Sequence, residues 1–206
     1  MNMHMPQDDE AEVELKYLAA IPHQIISPAN NKSIIGVFQD NLIGSYLFTR
    51  EGQQFTPKEA MNYLVHTKMI KTDIFKQEFV SNFNIMSNIL PPMTMKMPTK
   101  LFKSDKDNFN TSNKVIDIVN GVMVRGQLEK GILGSTGGGM IARIHNDFSA
   151  KASSQFIDDL QSIVTEYMKS TCFSVGISDL ISNKATTDAI KAVSYTHLTL
   201  PTIRSV

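Results

Sequence analysis

The run Gly134-Ser135-Thr136-Gly137-Gly138-Gly139 stands just ahead of a helical pattern that begins at Met140. Bare N–H groups at a helix start can cradle a phosphate, so this run could bind a nucleotide. A phosphate loop, however, places Lys and then Ser or Thr directly after its last glycine, and a dinucleotide fingerprint needs a parallel strand in front. Met140 and Ile141 follow here, and the strand in front reads as half of a hairpin. A flexible turn or close backbone packing is the competing reading. Asp105-Lys106-Asp107 alternates carboxylates as the opening of a calcium loop does. Phe109 takes the next ligand position and no glycine follows, so a solvated turn is expected instead. His4, His23, His66 and His145 show no short metal-ligand spacing and read as surface or packing residues. Cys172 is the single cysteine. It would need a histidine brought to it by the fold to act as a nucleophile, and a buried thiol is the expectation. The methionines Met86, Met93, Met95 and Met97 could line an adaptable binding surface or fill irregular gaps in a core.

These residues hang on elements that the sequence predicts with uneven clarity. From Pro6 an acidic first turn introduces a helix with Ala11, Leu15, Leu18 and Ala19 on one stripe, closed by Pro22. Gln24 to Pro28 reads as a short strand, Ala29-Asn30-Asn31 as a turn, and Ile34 to Phe38 as a buried strand. Asn41 to Arg50 continues as a helix. Thr56-Pro57-Lys58-Glu59 combines a capping threonine, proline at the first helical position and a glutamate that completes a capping box. Met61, Leu64 and Val65 should then face inward. The stretch from Ile85 to Thr99, interrupted by Pro91, Pro92 and Pro98, predicts an irregular loop, and Asp105 to Asn113 has no periodicity. Val115 to Val119 and Val122 to Gln127 flank Asn120-Gly121, the dipeptide of a two-residue hairpin turn. A long amphipathic helix with Phe156, Leu160, Ile163, Val164 and Tyr167 on its inner face should end near Thr171. Phe173 to Asp179 reads as a connector, and Thr186-Thr187-Asp188 as the cap of a further short helix. The whole predicts an α+β fold, a mixed domain with an antiparallel hairpin and several amphipathic helices.

Composition bounds what such a fold could do. The 206 residues are 42% hydrophobic, and twenty basic side chains balance twenty acidic ones. An ordinary core is affordable, but a long-range basic field for nucleic acid is not present, so any contact with phosphates must be local. One cysteine excludes a disulfide framework and thiolate-rich zinc sites within the chain, and fits an intracellular setting. The N-terminus lacks the pattern of a signal peptide, and no apolar run is long enough to span a bilayer.

Three stretches carry a resemblance to a known family. They are Met1-Asn2-Met3-His4-Met5-Pro6 with the acidic helix behind it, Ser27-Pro28-Ala29-Asn30-Asn31-Lys32-Ser33-Ile34-Ile35-Gly36, and Gln39-Asp40-Asn41-Leu42-Ile43-Gly44-Ser45-Tyr46-Leu47-Phe48-Thr49-Arg50. In this order they resemble the largest subunit of multisubunit DNA-directed RNA polymerases. Val124-Arg125-Gly126-Gln127-Leu128-Glu129-Lys130, the glycine run and Phe173-Ser174-Val175-Gly176-Ile177-Ser178-Asp179 resemble it too. The wording is similar to that of polymerases from large nucleocytoplasmic DNA viruses.

The resemblance implies a fragment of a larger chain. Residues 1–171 would form the pore domain beside the active site, 172–192 would begin the funnel domain, and 193–206 resemble a translated sequencing-adaptor tail of non-native origin. In the family the loop Asn-Ala-Asp-Phe-Asp-Gly-Asp-Glu directly precedes the first of these stretches and holds catalytic Mg2+. The resemblance therefore implies that the metal is held upstream and that this chain holds none and lacks the catalytic residues. It implies Lys130, Gln39 and Asp40 as residues of the pore, or secondary channel, through which nucleotides reach the active centre. A lysine solvated at a strand end and a helix-capping Asp40 are the plain alternatives. Implied partners are the second-largest and small subunits, template DNA, the RNA 3′ end, NTPs and a transcript-cleavage factor, in a nucleus, cytoplasm or virion, with no membrane. The segment Leu101-Phe102-Lys103-Ser104-Asp105-Lys106-Asp107 departs from the family's usual Trp-Ser/Thr-Gly-Lys-Gln. A stand-alone nucleotide- or peptide-binding module without catalysis is the rival expectation.

Overall fold

The computed structural model describes residues 3–68, 70–171 and 173–199, with side chains described as far as residue 195. Cys172, and residues 200–206 of the expected non-native tail, lie outside these. Asp8 starts the first helix by accepting a hydrogen bond from the Ala11 N–H at 2.7 Å, and α1 runs from Asp9 to Tyr17. None of its residues is buried, so the expected stripe at Leu15 and Leu18 faces solvent. A turn of 3-10 helix, Ile21–Gln24, leads to β1 (Ile26–Ser27), which pairs antiparallel with β2 (Lys32–Ser33) around Asn31. Asn31 takes φ 46°, a conformation asparagine tolerates.

The strand expected from Ile34 to Phe38 does not form. The segment is extended, but only the Ile34 N–H bonds locally, donating to Ile25 O at 2.8 Å, while the Val37 N–H donates to Leu133 O at 2.9 Å and Ile34 O accepts from Ser135 Oγ at 2.9 Å. Helix α2 (Gln39–Phe48) follows, then β3 (Gln54–Phe55) and α3 (Pro57–Leu64). Thr56 and Glu59 form the expected capping box at the start of α3. Ala60, Tyr63 and Leu64 are its buried residues, while Met61 and Val65 are 50% and 62% exposed, contrary to the inward placement expected of them. The buried stripe runs through the 60–63–64 positions, so 61 and 65 fall on the opposite side of a 3.6-residue turn.

A second 3-10 turn, Thr72–Lys76, precedes β4 (Val80–Ser81), which pairs with β3. The expected loop from Ile85 to Thr99 is instead largely regular: α4 (Asn82–Ile89) and β5 (Met95–Pro98) occupy most of it. Pro91 and Pro92 fall in the connection, and Pro98 ends an edge strand where a missing N–H is tolerated. Met86, Met93 and Met95 are buried in the core and Met97 packs against it, which is the gap-filling use of thioethers. β6 (Val115–Val119) and β7 (Val122–Arg125) complete a three-stranded antiparallel sheet of order β5-β6-β7. Asn120 at φ 49° and Gly121 at φ 76° make the hairpin turn that this dipeptide signals.

Beyond the sheet come α5 (Lys130–Leu133), α6 (Met140–Asp147) and α7 (Ala150–Thr171). The inner face of α7 carries Phe156, Leu160, Ile163, Val164 and Tyr167, all at most 4% exposed. It packs against α2, α3, α4 and α6 and so forms the axis of the core, while α4 lies on β7. Phe48, Phe55, Tyr63 and Tyr167 stack and edge together with centroids 5.1–6.3 Å apart. Helices with small antiparallel sheets make this an α+β fold.

The chain divides into two compact units, Met1–Thr171 and Cys172–Val206. In the second, α8 (Ile177–Leu180) interrupts the expected connector. Asn183, not Thr186 or Thr187, caps α9 (Lys184–Thr199), accepting from the Thr186 N–H at 2.8 Å. The helix runs through Ser194–Thr199 as well, so it is longer than the capping signal suggested.

Candidate functional site

The residues Gln39, Asp40 and Lys130 are far apart in sequence, and two hydrogen bonds bring their segments side by side. The Val37 N–H, two residues before α2, donates to Leu133 O at the end of α5. At the other end of α2, Thr49 Oγ1 accepts from the Leu128 N–H at 2.9 Å and itself donates to Ser45 O at 2.7 Å. The stretch from Leu128 to Leu133 is thereby fastened along α2, with Lys130 between the two attachments. Leu128, Ile132 and Leu133 are buried beneath it, which fixes the backbone while the Lys130 side chain stays in solvent.

Lys130 is the first residue of α5, not the end of a strand, and Glu129 is its N-cap residue. The Glu129 carboxylate turns away to accept from the Lys100 N–H at 2.6 Å. Among the described residues, neither the Lys130 ammonium nor the Asp40 carboxylate has a hydrogen-bond or ion-pair partner. Asp40 does not cap α2: the N-cap position belongs to Phe38, and Asp40 lies in the first turn, where its charge complements the helix dipole without a bond. Gln39 takes φ 51°. A left-handed backbone at a residue that is neither Gly nor Asn is a strained position, of the kind concentrated at functional sites.

The glycine run behind α5 is a packed structure. Ser135 Oγ donates to Ile34 O at 2.9 Å, Thr136 Oγ1 donates to Gly131 O at 3.1 Å, and Ser33 Oγ lies 3.4 Å from Gly134 O. A Cβ on Gly36 would stand 2.8 Å from Ser135 N and 2.9 Å from the Gly134 carbonyl carbon, closer than real Cβ contacts come. A Cβ on Gly139 would meet Thr136 Oγ1 at 2.5 Å. The loop's hydroxyls thus serve neighbouring carbonyls, and its glycines permit two backbones to touch. That is the close-packing alternative to a phosphate cradle.

The remaining chemical candidates do not converge. Asp107 accepts from Lys114 Nζ at 2.8 Å and from the Lys103 N–H at 3.0 Å, and the lysine hydrogen bond holds its carboxyl below the usual range. His145 Nδ1 lies 3.4 Å from Asn146 Oδ1. No three His, Cys, Asp or Glu side chains among the described residues stand close enough to hold a metal ion. A charged residue the sequence reading passed over is Arg125. It faces Asp117 across the β6–β7 ladder at 2.9 Å, with Lys96 3.7 Å from the same carboxylate, and its Nη1 is buried without a partner among the described residues. The opposed positions on a recognised hairpin were the signal that could have paired them.

Residues 24–180 match the family described as RNA polymerase Rpb1, domain 3. The chain is 26% identical over 191 residues to the DNA-directed RNA polymerase subunit Rpo1N of Thermoplasma acidophilum, covering 87% of this chain and 21% of that protein. It is 28% identical over 185 residues to DNA-directed RNA polymerase subunit 1 of Acanthamoeba polyphaga mimivirus, covering 88% and 11%. With the DNA-directed RNA polymerase II subunit RPB1-B of Trypanosoma brucei brucei it shares 26% over 195 residues, covering 90% and 10%. The chain therefore spans only 10–21% of the length of these three relatives.

Proposed function

The chain belongs to the family RNA polymerase Rpb1, domain 3, and we accordingly propose that it serves DNA-templated RNA synthesis as a non-catalytic wall of the pore that admits nucleotides to the active site. In this reading residues 1–171 are the pore domain and 172–192 begin the funnel domain. The assembled enzyme contains the other polymerase subunits, template DNA, the RNA 3′ end and NTPs, and admits a cleavage factor. Catalytic Mg2+ is held by residues outside this chain.

The observation that carries the reading is Lys130: a solvated ammonium without a partner among the described residues, on a backbone fastened beside α2, whose first turn presents Gln39 and Asp40. Phosphoryl transfer depends on metals and positioning, so a neighbouring wall contributes by shaping the route of a multiply charged substrate. One point charge attracts a triphosphate without trapping it. The hydroxyls of the glycine loop serve neighbouring carbonyls, which favours close packing there over the rival module.

The test is Lys130→Glu in a complete polymerase carrying this segment. Reversal of charge on the substrate's path raises the apparent KM for nucleotides, most at low ionic strength, while kcat changes little. Lys130→Arg, which keeps a positive charge, stays close to wild type. Unchanged nucleotide dependence of the glutamate variant at low salt would place Lys130 outside the substrate's path.

A further inference from the structure

On another part of the first unit lies a cleft of about 560 Å3 between Lys68, Ile70 and Lys71, the end of α4 and the tip of the β6–β7 hairpin. Its volume lies within the range of about 300–1,000 Å3 typical of ligand sites. The walls are pinned in place. The Lys71 N–H donates to Asn88 Oδ1 at 2.8 Å, tying Lys71 to α4. The hairpin tip is held against the Pro91–Thr94 connection by the Gly121 N–H on Met93 O at 2.8 Å and the Asn120 N–H on Thr94 Oγ1 at 3.1 Å. A binding surface that is already ordered loses less freedom when it is filled.

The lining combines two chemistries. Ile70, Leu90, Pro91 and Pro92 supply an apolar floor, and Lys68 and Lys71 supply positive charge at the rim, with no carboxylate among the described lining residues. Neither ammonium makes a hydrogen bond or ion pair among the described residues, although Lys68 also lies within electrostatic range of Asp159. No aromatic ring lines the cleft among the described residues, so bases have nothing there to stack on, and a nucleic-acid strand would be poorly served. An apolar floor under paired positive charges is complementary to an apolar side chain flanked by acidic ones. We propose that this cleft is a docking site for an extended segment of another polypeptide, one that carries an aromatic or aliphatic anchor between carboxylates. The site is separate from Lys130, Gln39 and Asp40, and its assignment does not depend on the pore reading.

The experiment uses the full 206-residue chain and a fluorescein-labelled peptide of alternating Asp and Phe, followed by anisotropy. Saturable binding is expected that weakens with salt, shifts the Asn120 and Gly121 amide resonances, and falls about tenfold in Lys68→Glu/Lys71→Glu. Both substituted side chains are exposed, and the amide shifts in the unsubstituted chain report the site independently of the variant. A matched peptide with Lys in place of Asp should not bind. Equal binding of the Lys peptide, indifference to the double substitution, or resonance shifts confined to other regions would overturn the proposal. So would equal binding of a peptide with Ser in place of Phe, or full competition by inorganic pyrophosphate, since either would mean a plain anion site.

Discussion

Gly36 shows how one missing side chain holds the candidate site together. The two atoms that a Cβ would strike, Ser135 N and the Gly134 carbonyl carbon, are both main chain and cannot swing aside. Gly36→Ala should therefore cost about 1–3 kcal/mol, as overpacking does in a tight core. A urea midpoint equal to that of the unsubstituted chain would show that the two backbones are not in contact in solution. Asp159 makes a different argument at the same scale. It is buried on α7, accepts from Gln155 Nε2 at 2.6 Å, and burial pushes its carboxyl above the usual value, with the Gln155 hydrogen bond opposing the shift. A raised folded-state pKa means that the native chain holds a proton the unfolded chain has released. Stability then falls as pH rises from 3.8 through the raised value, and the full penalty applies above it. Asp159→Asn should match or exceed the unsubstituted chain in Tm at pH 7, with the difference closing as pH is lowered towards 3.8. A Tm difference that does not vary with pH would remove the titration account.

At the scale of elements, the β6–β7 hairpin carries the firmest expectation. Gly121 combines φ 76° with a position where a Cβ would stand 2.7 Å from Pro91 O. Gly121→Ala suffers both left-handed strain and a clash with main chain, and should destabilise by about 1–3 kcal/mol. Thr56→Ala, which removes one half of the α3 capping box, should cost about 1 kcal/mol. Denaturant melts of the two variants rank them, and an alanine tolerated at 121 would mean a different turn. These two features, and α7 with them, were legible in the sequence because their signals are local: a dipeptide for the turn, four residues for the cap, a 3.6-residue stripe for α7. The stretch from Ile85 to Thr99 was misjudged because three prolines outweighed the apolar pattern, although two of them fall in a connection and the third ends an edge strand. Ile34 to Phe38 misled for the opposite reason. Its apolar residues suggested a strand, but beyond the Ile34 N–H bond to Ile25 O its hydrogen bonds go to Leu133 and Ser135, a partner that no local pattern reveals. The candidate site was legible only through resemblance. Nothing in the chemistry of Lys130, Gln39 or Asp40 distinguishes them from other polar residues until the fold sets their segments together.

For the molecule as a whole, the distribution of apolar surface matters more than any single contact. The core of the first unit is closed, yet α1 buries no residue and leaves Val13, Leu15, Tyr17 and Leu18 between 54% and 67% exposed. Four large apolar side chains on one short helix form a surface that water tolerates poorly and that other apolar surfaces will cover. A chain that matches only 10–21% of the length of its relatives should, on its own in solution, satisfy that surface by self-association. Sedimentation velocity across a concentration series should show a weight-average coefficient that rises with concentration. Leu15→Gln/Leu18→Gln should flatten that rise while leaving the thermal midpoint of the folded core nearly unchanged, because exposed positions away from packing contribute within about 0.5 kcal/mol. The two readouts separate the possible causes: a lower midpoint would mean that α1 packs on the core after all, and association that survives the double substitution would place the sticky surface elsewhere. A chain that is monomeric at every concentration would refute the expectation that its exposed helix seeks a partner.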